Sequence, residues 1–166
     1  MRNLIGVTAV ALAVAATPAV SLAQLPFRLG GQLSWGDDKD LGLGIRYEND
    51  LTMFGPAVRN LRVIGSFDYF FPGNNVNYFE FNANVAWGFS IPGSRIAPYA
   101  GGGINIARGS VDLPAPLGDR SDTDVGLNLL GGVKFPALGK FTPYTELRLE
   151  LSGGDQFVIT GGLLFF

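Results

Sequence analysis

Hydrophobic residues recur at every second position along most of this chain. The clearest run covers residues 79–89, where odd positions are apolar and even positions are polar or small. The odd positions hold Phe79, Phe81, Ala83, Val85, Trp87 and Phe89, and the even positions hold Glu80, Asn82, Asn84, Ala86 and Gly88. A period of two is typical of a β-strand with one apolar face, because a helix would mix the two sets on every side.

The same alternation recurs in seven other segments, so the sequence predicts eight strands of about 8–12 residues. The other segments are 27–35, 41–48, 61–71, 98–106, 125–135, 144–151 and 156–166. The last is the least regular, because both of its faces are largely apolar. The connections are rich in Gly, Pro, Asn and Asp, as expected of turns. The two longest are 49–60, where we expect a short irregular turn, and 108–122.

Residues 1–23 have the pattern of a cleaved signal peptide. Arg2 supplies a positive charge, an apolar run follows from Leu4 to Ala16, and Ser21 and Ala23 place small residues before a cleavage site. An N-terminal membrane anchor is the alternative, but the run is shorter than the ~20 residues of a spanning helix. We therefore expect an exported protein with one domain over residues 24–166.

Composition removes several classes of function. The chain has no cysteine and no histidine, which excludes disulfides, Ser-His-Asp triads and zinc sites built on those residues. Without residues 1–23 the net charge is 11 − 14 = −3, which argues against binding to nucleic acid. Charged residues make up only 16% of the chain and hydrophobic residues 47%, against the ~25% charge of a typical soluble domain.

Two barrel architectures fit eight amphipathic strands: a soluble lipocalin-like carrier with its apolar face inside, or a membrane barrel with that face in lipid. The second is favoured because the polar faces hold much Gly, Ala and Asn but little Lys. Aromatic residues also gather near the strand ends, as in interfacial girdles. One predicted rim holds Trp35, Tyr69, Phe71 and Phe79; the other holds Phe27, Tyr47, Trp87, Phe89, Phe135, Phe141 and Phe166.

Four features together resemble the small outer-membrane β-barrels of Gram-negative bacteria, the OmpA/OmpX-like porin-family domain. They are the signal peptide, the eight amphipathic strands, the strand starts at Pro98-Tyr99 and Pro143-Tyr144, and the terminal Leu163-Leu164-Phe165-Phe166. The resemblance covers residues 24–166. It implies an all-β, eight-stranded, antiparallel up-and-down transmembrane barrel with its apolar face outward and a polar lumen.

The resemblance also implies a location and partners. We expect a monomer in the bacterial outer membrane, in contact with lipid and lipopolysaccharide, with both termini in the periplasm. Phe166 is implied as the signal read by the barrel assembly machinery. Because the predicted loops are shorter than those of adhesive members and the sequence given has no peptidoglycan-binding domain after Phe166, we expect neither a loop-based adhesin role nor an anchoring role.

The opposite parity of each strand then faces the lumen, and we expect its charged groups to pair and fill the bore. These candidate residues, which are structural or pore-lining, are Arg28, Arg46, Glu48, Arg62, Asp68, Glu80, Lys134, Tyr144, Glu146, Arg148 and Glu150. Inward glycines are expected to leave room for the long Arg and Tyr side chains.

Catalysis and metal binding have weaker support in the sequence. Glu80 and Glu146 are conceivable as a carboxylate pair, but no spacing singles them out, and barrel enzymes that act on lipid A use a histidine. Asp119, Asp122 and Asp124 have a spacing suited to a hard cation but lack a full loop motif. We therefore expect a non-enzymatic protein without cofactors.

Three functions remain open from the sequence. The first is a structural or surface-interaction barrel with a filled lumen. The second is a small porin-like passive channel, and the third is a secreted lipocalin-like carrier.

Overall fold

The computed structural model describes residues 27–73, 76–111, 120–151 and 156–165, and most of these lie in eight strands. The strands are β1 (Phe27–Gly36), β2 (Asp40–Asp50), β3 (Leu61–Phe70), β4 (Val76–Gly88), β5 (Ala97–Val111), β6 (Arg120–Lys134), β7 (Phe141–Leu151) and β8 (Gln156–Phe165). Two short 3-10 helices, Leu51–Phe54 and Pro56–Val58, lie between β2 and β3. Within the described ranges, no helix has the length and apolar character needed to cross a membrane.

Every strand pairs antiparallel with its neighbours in sequence, and β1 closes the sheet against β8. Following directly paired residues once around the barrel from Asp50 leads back to Asp40 on the same strand, a shift of 50 − 40 = 10 residues. With eight strands, this shift corresponds to a strand tilt of about 40°. The predicted closed up-and-down barrel is confirmed.

The two ends of the barrel are named here by the strand ends that they hold. The upper end holds Gly36, Asp40, Phe70, Val76, Val111, Arg120, Leu151 and Gln156. The lower end holds Phe27, Asp50, Leu61, Gly88, Ala97, Lys134, Phe141 and Phe165.

The side-chain parity is inverted relative to a soluble protein. Outward residues such as Leu33 (54% exposed) and Ile45 (67%) are apolar, whereas the inward Glu48 and Glu80 are fully buried. This arrangement confirms the predicted outward apolar face. In a soluble carrier the apolar face would instead line the interior.

The prediction was wrong about the extent of three strands. β4 has 13 residues, and β5 and β6 have 15 each, so residues 108–111 and 120–122 of the connection placed at 108–122 are strand. Alternation is lost there because the outward face turns polar above the apolar band, at Arg108 and Ser110 on β5 and at Ser121 and Thr123 on β6, so hydrophobic periodicity no longer marks the strand. The irregular turn expected in 49–60 is present as the two 3-10 helices.

A candidate functional site in the barrel lumen

All eleven lumen residues predicted from the sequence lie in strands with inward parity. Nine of them are buried, and the other two, Arg28 and Arg62, have side chains that are 23% and 14% exposed. They are joined by hydrogen bonds and ion pairs into two clusters, one toward each end of the bore.

The lower cluster is centred on the Glu48 carboxylate. Its Oε1 accepts a hydrogen bond from Arg46 Nε at 3.0 Å, and its Oε2 pairs with Lys134 Nζ. Arg28 and Arg62 lie 3.9 and 3.8 Å from the same oxygen. Four cations from four strands therefore converge on one buried anion, so the charge of the Glu48 carboxylate is compensated although it is buried.

A bridge across the bore adjoins this cluster. Arg46 Nη1 lies 2.9 Å from Glu146 Oε2, and the Tyr99 hydroxyl donates to the same oxygen at 2.9 Å. The Arg46 guanidinium also lies over the Tyr144 ring, 4.4 Å from its centroid. Because these groups come from β2, β5 and β7, the bridge ties opposite walls of the barrel together.

The upper cluster is centred on Arg148. Its Nε donates to Glu150 Oε1 at 2.7 Å and its Nη2 donates to Glu80 Oε2 at 3.1 Å, with Asp68 Oδ2 at 3.8 Å. Gln156 Nε2 donates to both Glu80 and Glu150. One buried cation thus holds three carboxylates, the reverse of the lower cluster.

Neutral polar groups connect the clusters. Gln32 Nε2 donates to Asp68 at 2.6 Å, while its Oε1 accepts from the Tyr144 hydroxyl at 2.6 Å. At the level of the upper cluster, Asn128 Nδ2 donates to the side-chain oxygens of Asn82 and Asn84 at 2.9 and 3.0 Å. The polar network therefore extends over most of the height of the lumen.

The lumen also contains apolar groups that the sequence pattern did not predict for a polar bore. One cluster near the upper end comprises Phe70, Tyr78, Ala107 and Val158, and another lower down comprises Ile64, Ala86, Tyr99 and Leu130. Phe70 and Val158 are fully buried. On β3 and β4, Phe70 and Tyr78 lie one inward position above Asp68 and Glu80, so these two rings lie between those carboxylates and the upper mouth.

Inward glycines make room for the tyrosines, as predicted. A Cβ on Gly162 would lie 2.6 Å from the Tyr144 hydroxyl, and one on Gly132 would lie 2.5 Å from Tyr99 Cζ. Only a residue without a side chain allows each ring to lie flat across the neighbouring strand.

Three contributors to the network were missed by the sequence-based prediction. Asp50 pairs with Arg28 and Arg62, but it falls in a stretch predicted as a connection. Tyr99 and Gln156 were treated only as the starts of their strands. The available signal was the parity that each of them shares with the inward residues of its own strand.

The catalytic and metal candidates are not assembled into a site. Glu146 contacts Arg46 and Tyr99, whereas Glu80 belongs to the Arg148 cluster, so the conceivable pair is separated. Asp122 and Asp124 lie on β6, and among the described residues no group of three acidic side chains is arranged to hold a metal ion. Asp119, Phe166 and the predicted signal peptide at 1–23 lie outside the described residues.

Comparison with known proteins identifies the fold. No protein-family model and no curated protein sequence matches this chain. Among solved structures, the N-terminal β-barrel domain of Pseudomonas aeruginosa OprF is similar at 13% identity and a TM-score of 0.63, covering 84% of this chain and 95% of that one. Neisserial surface protein A is similar at 18% identity and a TM-score of 0.60, and the match covers 84% of this chain and 94% of that one.

The attachment invasion locus protein Ail of Yersinia pestis is also similar, at 17% identity and a TM-score of 0.55, covering 83% of this chain and 93% of that one. At these identities the likeness establishes the shared barrel architecture. It agrees at the level of fold with the resemblance to small OmpA/OmpX-like barrels.

Proposed function

We propose that this protein is a non-enzymatic integral barrel of the bacterial outer membrane with a structural or surface-interaction role and a lumen closed by its own side chains. The observation that carries the proposal is the inverted parity, with an apolar wall outside and a paired charge network inside. An interior of this kind needs no bound counter-ion, because its charged side chains already compensate one another.

The outer wall supports a lipid environment. Among the described strand residues, the outward side carries one charged residue, Arg108, close to the upper end of β5. Exposing so much apolar surface to water would be unfavourable by about 25 cal/mol per Å². A closed sheet also leaves no unpaired strand edge, which the bilayer interior requires.

The contacts inside the bore support a closed lumen. The two ion-pair clusters, the bridge from Arg46 to Glu146 and the upper apolar cluster occupy successive levels. Eight strands enclose an interior just wide enough for side chains to fill. Ions would have to displace these buried pairs to pass.

A passive channel remains the second candidate, and one observation favours it. Several buried polar atoms of the described lumen residues have no protein partner. They are Arg62 Nε, Asn82 Nδ2, Asn105 Oδ1, Asn128 Oδ1 and Gln156 Oε1. Water molecules would satisfy such groups, and a connected file of them would conduct.

The cellular setting belongs to the same proposal. Lipopolysaccharide and outer-membrane lipid are the expected neighbours, the barrel assembly machinery the expected partner of Phe166, and the periplasm the expected location of both termini. The names of two similar proteins, Neisserial surface protein A and the attachment invasion locus protein, support a role at the cell surface.

The two tryptophans test the membrane location. Trp35 and Trp87 face outward near opposite ends of the barrel and are 45% and 41% exposed. In vesicles containing lipid brominated on the acyl chains, we expect strong quenching of the fluorescence of both tryptophans. The variant Trp35→Phe reports on Trp87 alone, and Trp87→Phe reports on Trp35 alone. Aqueous iodide should quench weakly. Purification without detergent, together with strong iodide quenching, would contradict the membrane location and favour the soluble carrier.

A further inference from the structure

The outer wall carries an apolar groove over strands β1 to β5. It has a volume of about 460 Å³. Its floor is formed at Gly65 and Ala83, two small outward residues that are directly paired, and its walls by Tyr47, Phe67, Phe81 and Ile104. A Cβ added to Gly65 would have its closest contact at 3.9 Å, so no side chain fills the groove above the backbone at this position.

The only outward charge of the described strands lies above this groove. Ile104, Ile106 and Arg108 follow one another on the outward face of β5, and Arg108 is paired across the sheet with Phe79. Ile104 lies four residue steps below Arg108, about 13 Å along the strand and about 10 Å along the barrel axis at the tilt of about 40°. This depth lies within the ~15 Å apolar half of a bilayer, so an acyl chain below a head group at Arg108 would pass the groove.

The surroundings of Arg108 suit a phosphorylated sugar. Its guanidinium Nη2 donates to the Ser121 hydroxyl at 3.4 Å, and it is exposed. Neutral hydrogen-bonding side chains surround it on the outward face, namely Asn77, Ser110, Ser121 and Thr123. An arginine binds phosphate through charge-assisted hydrogen bonds, and the hydroxyl and amide groups can bind sugar hydroxyls.

We infer that this wall binds one phosphorylated glycolipid, with a phosphate on Arg108 and an acyl chain in the groove at Gly65 and Ala83. The inference rests on the proposed function, because the groove is a lipid site only if the wall lies in a bilayer. It adds to that function a fixed lipid partner and a defined place for it.

A second groove provides an internal control. It lies over β1 and β8, where Gly31 and Gly161 face outward, and the residues that line it are glycines, apolar residues and Gln32. Neither β1 nor β8 carries an outward charge in the part of the chain that the structure describes. Ordinary lipid tails can enter both grooves, but a phosphate anchor is present only beside the first.

The experiment is native mass spectrometry of the full chain in detergent, titrated with bisphosphorylated lipid A. We expect one lipid A to be retained, Arg108→Gln to weaken its apparent affinity about tenfold or more, and Gly65→Phe to weaken it several-fold by filling the groove. Ala83→Leu is a second filling variant in case Gly65→Phe fails to fold. The matched controls Arg59→Gln, at the lower end, and Gly161→Phe, in the second groove, should leave the affinity unchanged.

Two outcomes would overturn the inference. One is equal retention of lipid A by Arg108→Gln and the wild-type protein, and the other is equal retention of phosphatidylglycerol and lipid A. Quenching by brominated lipid is measured on the same preparations. A barrel that is quenched but retains no lipid A contradicts only the lipid site, whereas a barrel that is not quenched contradicts the membrane location as well.

Discussion

At the scale of single residues, the lumen depends on anions and cations that compensate one another. The charged side chains joined in ion pairs within the described lumen comprise five cations and six carboxylates, distributed unevenly. The cations are Arg28, Arg46, Arg62, Lys134 and Arg148; the carboxylates are Glu48, Asp50, Asp68, Glu80, Glu146 and Glu150. Removing one partner of such a set costs far more than the pair contributes, because it leaves a buried charge uncompensated.

Glu48→Gln tests this dependence. It keeps the shape of the side chain but removes the anion that faces four cations, so we expect the free energy of unfolding in vesicles to fall by about 3–5 kcal/mol. Urea titration followed by tryptophan fluorescence measures it. Asp38→Asn, an exposed acid in the turn after β1, is the control and should change little. A loss below about 1 kcal/mol for Glu48→Gln would show that the cluster is not an important source of stability.

At the scale of the strand, each element is specified by two alternating requirements. Outward positions must be apolar and inward positions must fit one another across a narrow bore, where glycine alternates with large side chains. Gly161 and Gly162 show both requirements side by side on β8. The first faces outward, where an added Cβ would have no atom within 4 Å, and the second faces the Tyr144 ring.

Adding one methyl group at each of these positions separates the two faces. Gly162→Ala places a Cβ 2.6 Å from Tyr144 and 2.7 Å from the Gly31 carbonyl oxygen, and we expect a loss of about 1–3 kcal/mol of unfolding free energy from overpacking. Gly161→Ala should be neutral or slightly stabilising. Equal effects in urea titrations of the two variants would contradict the assigned parity of β8.

Most of the strand plan could be predicted from the sequence, because lipid on one side and a narrow lumen on the other impose a strict period of two. Parity also placed the eleven candidate residues inside. It could not predict the upper parts of β5 and β6, where the outward face is polar, nor which charges meet. The partners of Arg148 come from β3, β4 and β7, and their meeting depends on the ten-residue shift around the barrel.

At the scale of the whole molecule, the barrel combines an apolar exterior with a bore that side chains occupy at several levels. The four-cation cluster lies at the lower end, the bridge from Arg46 to Glu146 lies above it, and the Arg148 cluster lies beneath Phe70 and Tyr78. The apolar wall and the polar network follow from the same parity, so one sequence pattern determines both properties.

Electrical conductance in a planar lipid bilayer tests the closed lumen most directly. Insertion is verified on the same preparation by brominated-lipid quenching of Trp35 and Trp87. We predict that the inserted wild-type barrel carries no steady unitary current. Steady open currents from the inserted wild-type barrel would contradict the closed lumen and establish the passive channel in its place.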